Sequence, residues 1–313
     1  MPPRLAGRTV AVTGGGRGLG RAYSILLGRL GANVVVNDLG SAVDGAGRDG
    51  TAVEEVVSAI VSAGGQAVAD AGDVSTWPGA EALVQRAVTT YGALDALVNN
   101  AGILRPRTIV GMTEAEWDDV IRVHMRGTLA TTHFAAVHWR SRYKRDGRPV
   151  AGRVVNTSSG SGLYGNGQAN YAAAKAAIAA MTLIAADELA HYGVTVNAIA
   201  PTARTRMAID AIPDHFGPDA VAPLVAWLVS AEAGGVNGQV FNVGGGHVSV
   251  VNGWHTGPAA DREEPWTVDE LDSIVPKLVD GASGRADMLG YYPGEERSPL
   301  LPDLRYDRPD PKP

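Results

Sequence analysis

The 313 residues carry 27 Lys and Arg against 33 Asp and Glu, a formal net charge of -6, with 45% apolar residues and no cysteine. That length and apolar share suit one large core. The acidic balance leaves no basic surface to neutralise nucleic-acid phosphates or an anionic membrane, and the lack of cysteine excludes disulfides and thiol catalysis. The N-terminal MPPRLAGRTVAV has no signal-peptide architecture, no apolar run reads as a bilayer span, and the C-terminal PDPKP is neither a peroxisomal nor an ER address. A soluble cytoplasmic protein is expected.

Short β-branched runs alternate with Ala-rich helical stretches from residue 8 to about 245, the rhythm of a parallel sheet covered on both faces. The predicted fold is therefore α/β: a Rossmann-type, doubly wound, seven-stranded parallel sheet in one domain, 1–246, with a C-terminal extension, 247–313. The first strand (8–13) empties into TGGGRGLG (13–20), and a helix (18–30) follows at once. A strand, tight turn and helix set backbone N–H groups and the positive helix end against a pyrophosphate, with Gly14, Gly18 and Gly20 allowing close approach. Arg17 and Leu19 share this loop. The second strand (33–38) ends on Asp38, eighteen residues after Gly20, where a carboxylate can take both hydroxyls of an adenosine ribose and repel a 2′-phosphate. Arg17 argues for that phosphate, but Asp38 outranks it, so NAD is expected over NADP.

The Gly-rich stretch 39–50 reads as a mobile loop beside the adenosine end, ahead of a helix at 51–63. After the third strand (66–71), GDV places Asp73 beside the adenine amino group and Val74 against its ring. A helix (78–91) leads to the fourth strand (94–99). There VNNAG supplies Asn100, Ala101 and Gly102 as a floor beside the nicotinamide ribose. A long helix (114–142) precedes the fifth strand (152–158). In the next helix (170–191), Tyr171 and Lys175 stand four apart on one face. A phenol with a pKa of about 10 is a poor base at neutral pH, and a nearby ammonium and an oxidised nicotinamide are both expected to favour the phenolate, making Tyr171 a general acid or base. A serine from the preceding strand end would orient the substrate oxygen. The sixth strand (194–200), a helix (219–230) and the seventh strand (239–243) complete the sheet. Beyond 247 lie one helical stretch, TVDELDSIVPKLVDGA, and a Pro-rich tail from Tyr291, expected to strap over the domain or a partner subunit.

TGGGRGLG, NNAG, the serine pair and YAAAK, in this order, resemble the short-chain dehydrogenase/reductase family over roughly residues 5–250. VVVNDLG, NNAGILRPR, RVHMRG, YGNGQANYAAAK and APLVAWL resemble its (3R)-hydroxyacyl-CoA dehydrogenase branch, also described as 17β-hydroxysteroid dehydrogenase. The resemblance implies an NAD-dependent oxidoreductase of lipid metabolism interconverting a secondary alcohol and a ketone, with an acyl-CoA or a steroid as substrate. It also implies a homodimer or homotetramer, since the helix from Tyr171 is apolar on nearly every face. Aligning on TSS makes Ser159 the catalytic serine, whereas the usual spacing gives Ser158; Ser159 is preferred. The family's helix asparagine falls on His124, either a proton-relay member acting through its carbonyl and a bound water or a structural histidine. Nicotinamide contacts carry over to Pro201, Thr202 and Thr205, although the usual PG turn is absent.

An apolar substrate mouth is expected from Met207, Ile209, Ile212, Phe216, Trp254, Met288, Leu289, Tyr291 and Tyr292, with a CoA-phosphate rim from Arg105, Arg107, Arg204 and Arg206. His191, His215, His247 and His255 show no metal-ligand spacing. Two other functions compete: an NADPH-dependent 3-oxoacyl carrier-protein reductase, against which Asp38 speaks, and a regulatory cofactor-binding protein without catalysis, against which the complete Ser, Tyr and Lys set speaks.

Overall fold

The computed structural model describes residues 4–165, 167–206, 212–282, 284, 286–287, 289–292, 294–296 and 300. The seven predicted strands are present as β1 (Thr9–Thr13), β2 (Asn33–Asn37), β3 (Gln66–Asp70), β4 (Ala96–Asn99), β5 (Arg153–Thr157), β6 (Thr195–Pro201) and β7 (Val240–Gly244). All pair in parallel. An eighth strand, β8 (His247–Val250), turns back antiparallel on β7, giving the order β3-β2-β1-β4-β5-β6-β7-β8. This short strand was not foreseen in HVSV, because Val248 and Val250 are half exposed and no buried apolar run marks it. The sheet thus extends into the segment assigned to the C-terminal extension.

Alternation along the strands divides the core. Val10, Val12, Val34, Val36, Ala96 and Val98 face one layer, made by α1 (Gly18–Arg29), α2 (Thr51–Ser62) and α8 (Ala222–Leu228). Ala11, Val35, Leu97 and Val154 face the other, made by α3 (Trp77–Tyr91), α5 (Gly127–Asp146) and α7 (Ala169–Ala190). Successive side chains of a strand point to opposite faces, so a strand buried on both sides needs apolar residues throughout. β1 reverses the winding: its neighbours are β2 on one side and β4 on the other, and the loops leaving these strands open a crevice at their carboxyl ends.

Three departures from the sequence reading have physical causes. The predicted helix 114–142 is α4 (Glu114–Ile121), capped by a Thr113–Glu116 capping box, then a single π turn at Arg122–Arg126, then α5. A single π turn spans only five residues, too few to show a period of its own, so it escapes a periodicity reading. A short helix, α6 (Gly160–Tyr164), lies between β5 and α7 and is too brief to show a period. And α7, at 22 residues and mean hydropathy 1.3 in its most apolar window, does reach the length and composition of a bilayer span, contrary to expectation. Its inner face buries Asn170, Lys175 and Thr182 against the sheet, the environment of a core helix.

Buried amides tie the strand ends together. Asn99 Nδ2 donates to Asn156 Oδ1 (2.9 Å) and Thr132 Oγ1 (3.1 Å), its Oδ1 accepts from Thr131 Oγ1 (2.7 Å), and Asn156 Nδ2 donates to Thr182 Oγ1 (3.0 Å). This chain runs from α5 through β4 and β5 to α7. Replacing Asn99 with Ala deprives Asn156 Oδ1 of that donor in a site without solvent. An unfolding free energy lower by about 2–3 kcal/mol is expected in urea denaturation.

Candidate active site

The crevice at the carboxyl ends of β1, β2 and β4 is built from backbone that cannot carry side chains. Gly14 has φ +62°, and a Cβ there would lie 2.9 Å from Ala101 Cα; at Gly20 an added Cβ would overlap the Gly14 carbonyl oxygen. α1 starts at Gly18 with no side-chain cap and no acid in its first turn, so its positive end and free amides face the crevice. Gly14, Arg17, Gly18 and Leu19 line it on one side and Asn100, Ala101 and Gly102 on another. Thr13 Oγ1 holds these walls at a fixed separation, accepting from Asn100 N (3.0 Å) and Ala101 N (3.1 Å), while Asn100 Nδ2 donates to the carbonyls of Thr13 and Gly14, each at 3.1 Å. Thr13 and the amide side chain of Asn100 are positioning groups that the sequence reading passed over. The visible signal was a hydroxyl at the strand end before the first glycine.

Asp38 projects into the crevice just after β2. Its Oδ2 accepts from Gly16 N (2.9 Å) and its Oδ1 from Gly40 N (2.8 Å), which leaves a lone pair on each oxygen for further donors. Arg17 is turned away from it, donating to Ser41 O and pairing with Asp49 at 3.3 Å. Asp73 also borders the crevice, with Oδ1 accepting from Ser75 N (3.0 Å) and Ser75 Oγ (2.6 Å) and Oδ2 lying 3.7 Å from Arg122. Val74 lies beside it, 6% exposed. Pro201 closes β6, Thr202 N donates to Val243 O, and Thr205 reaches the crevice opposite Gly18. The cradle fits a dinucleotide: amides at a helix start, a floor without side chains, and a carboxylate at its far end.

Beyond Gly102 lie Tyr171, Lys175, Ser159 and His124. Ser159 caps α6, its hydroxyl accepting from Ser161 N (3.2 Å), and it is near enough to the Tyr171 phenol to oppose the rise of its pKa. Ser158 turns inward instead, donating from Oγ to Lys175 O at 2.8 Å. The geometry therefore brings Ser159, not Ser158, to the phenol. Lys175 Nζ donates to Thr157 O (2.6 Å) and lies 5.6 Å from the centre of the Tyr171 ring. Burial lowers the Lys175 pKa from 10.5 to about 7, and burial raises that of Tyr171, opposed by Ser159. Lys175 alone does not hold the phenol below its ordinary value; the expected lowering also calls on the positive charge of an oxidised nicotinamide. Loss of solvent outweighs any help from an amine that is itself driven toward neutrality.

His124 sits on the π turn, 1% exposed, with Nε2 2.8 Å from Ile103 O and its ring set edge-on to Tyr171 at 5.3 Å. A Cβ at Gly102 would collide with its Cε1. Asn170, also fully buried, donates from Nδ2 to Arg105 O (3.1 Å) and Glu116 O (3.2 Å) and accepts from Tyr171 N (2.7 Å), fixing the start of the helix that carries the phenol. Sequence reading missed Asn170 because an amide before a tyrosine has no pattern of its own.

The substrate side is less as expected. Phe216 is wholly buried beneath Gly244 and Gly245, and Trp254 is 98% exposed, so neither forms a mouth in this chain. Met207, Ile209 and Met288 lie outside the described residues. Leu289 is buried, its carbonyl accepting from Asn242 Nδ2, while Ile212, Tyr291 and Tyr292 are half-buried. Of the rim arginines, Arg105 pairs with Asp44 and Asp119, Arg107 with Glu116 and Arg204 with Asp214; Arg206 borders the crevice.

A short chain dehydrogenase family model matches residues 8–214. The chain is a short-chain dehydrogenase. Among relatives, this dehydrogenase is similar to hydroxyacyl-CoA dehydrogenase ChsB1 of Mycobacterium tuberculosis, 48% identical over 80% of this chain and 81% of that protein. It is 39% identical to mouse peroxisomal multifunctional enzyme type 2 over 89% of its own length but only 37% of that enzyme's. Among solved structures, a short chain dehydrogenase from Mycobacterium avium superposes with a TM-score of 0.84 at 48% identity, covering 92% of this chain and all of that one. As a member of this family the chain is an oxidoreductase that uses a nicotinamide cofactor.

Burial, followed by repulsion from Lys175, lowers the His124 pKa from 6.5 to about 3. The unfolded chain binds this proton below about 6.5 and the folded one only below about 3, so His124 subtracts stability as pH falls through that window. His124→Asn should unfold with a weaker dependence on pH than the parent dehydrogenase, as read from urea midpoints between pH 7.5 and 4. Parallel profiles would place the histidine outside the acid response.

Proposed function

We propose that this short-chain dehydrogenase interconverts a 3-hydroxyacyl-CoA and the corresponding 3-oxoacyl-CoA with NAD. A buried Lys175 bound to Thr157 O and 5.6 Å from the centre of the Tyr171 ring, at the end of a dinucleotide cradle, is the observation that carries the chemistry. The 48% identity to a protein named as a hydroxyacyl-CoA dehydrogenase, across four-fifths of both chains, supports the substrate class.

On this reading the amides from Gly14 to Gly20 hold the pyrophosphate and Asp38 the adenosine ribose. Asp73 and Val74 flank the adenine, and Asn100, Ala101 and Gly102 lie under the nicotinamide ribose. Lys175 reaches that ribose, and Pro201, Thr202 and Thr205 meet the nicotinamide. Bound there, the nicotinamide supplies the hydride acceptor or donor. Tyr171 takes the proton of the substrate hydroxyl in oxidation and returns it to the oxygen in reduction, while the Ser159 hydroxyl is the second partner of that oxygen. His124 packs edge-on against the phenol and keeps its ring in place. NAD preference is supported by the Arg17–Asp49 pair, which withdraws from a 2′-phosphate the cation nearest Asp38 in the glycine loop. The same reading makes the chain a homodimer or homotetramer, supported by Leu129, Val137, Leu183 and Ile184, which leave α5 and α7 with half-exposed apolar positions.

The reading is tested by assaying 3-hydroxyacyl-CoA esters, a 17β-hydroxysteroid and a small polyol with NAD and NADP. Preference for the CoA ester with NAD is expected; preference for the polyol or the steroid removes the substrate assignment. Tyr171→Phe should lower kcat at least about 100-fold, the range of general acid–base catalysis, with NAD binding retained in calorimetry. Because burial raises the Tyr171 pKa, alcohol oxidation should climb as pH rises above neutrality, while ketone reduction holds at neutral pH and declines in alkali. Asp38→Ala should narrow the NAD preference by about 10- to 150-fold, the worth of one charge-assisted contact, measured as a ratio of kcat/KM values.

A further inference from the structure

The loop 39–50, predicted to be mobile, is folded back across the crevice. Internal bonds shape it: Ala42 N donates to Ala46 O (2.8 Å), Gly45 N to Ala42 O (2.9 Å) and Ala46 N to Asp44 Oδ1 (3.0 Å). Two arginines then tether it from opposite ends. Arg17 takes Ser41 O and Asp49, and Arg105 takes Asp44 at 3.5 Å, next to a main-chain bond from Leu104 N to Val43 O of 2.9 Å. So held, Ser41, Ala42, Val43 and Gly45 line the crevice together with Asp38, Asp73 and Val74.

Arg105 is itself fixed at three points. Its carbonyl accepts from Asn170, the residue before Tyr171, and its guanidinium is shared between Asp44 and Asp119 of α4, the latter at 3.3 Å. Asp119 in turn pairs with Arg122, and Arg122 with Asp73. A guanidinium divided between two carboxylates has little left for a substrate phosphate, and through Asp44 it is tied to the loop that follows Asp38.

We propose that Arg105 is a positioning residue for the adenosine half of the dinucleotide, holding the 39–50 loop closed over that half while its own backbone is fixed to the catalytic helix. The proposal rests on reading the crevice as a dinucleotide site and is independent of the substrate. Its groups are partly exposed, with side-chain accessibilities of 28% for Arg105, 54% for Asp44 and 35% for Asp119, so the effect is modest and sensitive to salt.

The test uses the full chain, with 5′-AMP and NAD as calorimetric probes and amide exchange as a second readout. Arg105→Ala should raise Kd for both probes about three- to tenfold, as expected for losing two partly screened ion pairs. Exchange should quicken across 41–46. Asp44→Asn, a change on the exposed loop that leaves Arg105 and Asp119 paired, should reproduce part of both effects, and the double variant should be no weaker than Arg105→Ala alone. The gap between the parent and Arg105→Ala should shrink as salt is added. Unchanged AMP affinity and unchanged exchange in both single variants would overturn the proposal. So would unaltered AMP binding combined with a raised KM for a CoA ester, which would assign Arg105 to the substrate instead.

Discussion

The site depends on a seam between two strands that are distant in sequence. β1 and β4 lie side by side, and where they end a single hydroxyl, that of Thr13, receives the amides of Asn100 and Ala101. This bond sets the distance between the glycine loop and the loop carrying Gly102, and so the width of the crevice. It also explains why the glycines are needed. With the walls drawn together, any side chain at Gly14 would meet the Ala101 backbone. The sheet's change of winding direction makes the gap, the hydroxyl fixes it, and small residues keep it open.

Burial then does most of the electrostatic work. Lys175 is buried and Tyr171 partly so, which presses the amine and the phenol toward their uncharged forms. A pair poised in this way responds strongly to whatever charge is brought beside it, because little solvent is present to screen the field. The protein commits the amine to the Thr157 carbonyl and the Ser158 hydroxyl to the helix backbone, while the Ser159 hydroxyl accepts from Ser161 N at the start of α6.

Much of this was legible in the sequence because it is written in short spacings. The alternation of β-branched runs with helices gave seven of the eight strands among the described residues, and the glycine loop, Asp38 and the Tyr171 to Lys175 interval gave the two ends of the site. What escaped is held by contacts between distant segments. Asn170 reads as an ordinary polar residue until its bonds to Arg105 and Glu116 are seen, and 39–50 reads as a flexible loop because the arginines tethering it come from residues 17 and 105. The arginines near the substrate side were visible, but their carboxylate partners were not. An isolated cation in a sequence carries no record of what neutralises it.

The π turn that carries His124 has a further consequence for how such a protein can change. The imidazole occupies the space a side chain at Gly102 would need, and its Nε2 is bound to the residue that follows, Ile103. Positions 102 and 124 are therefore mutually dependent: alanine at 102 is barred while the imidazole stands, and becomes sterically admissible once 124 is smaller. A lineage could cross between the two states only in one order, through the smaller residue at 124 first, leaving the backbone of Ile103 without its histidine partner in between. The floor of the crevice and the wall behind the phenol form one mutational unit, although neither residue is next to the other in the chain.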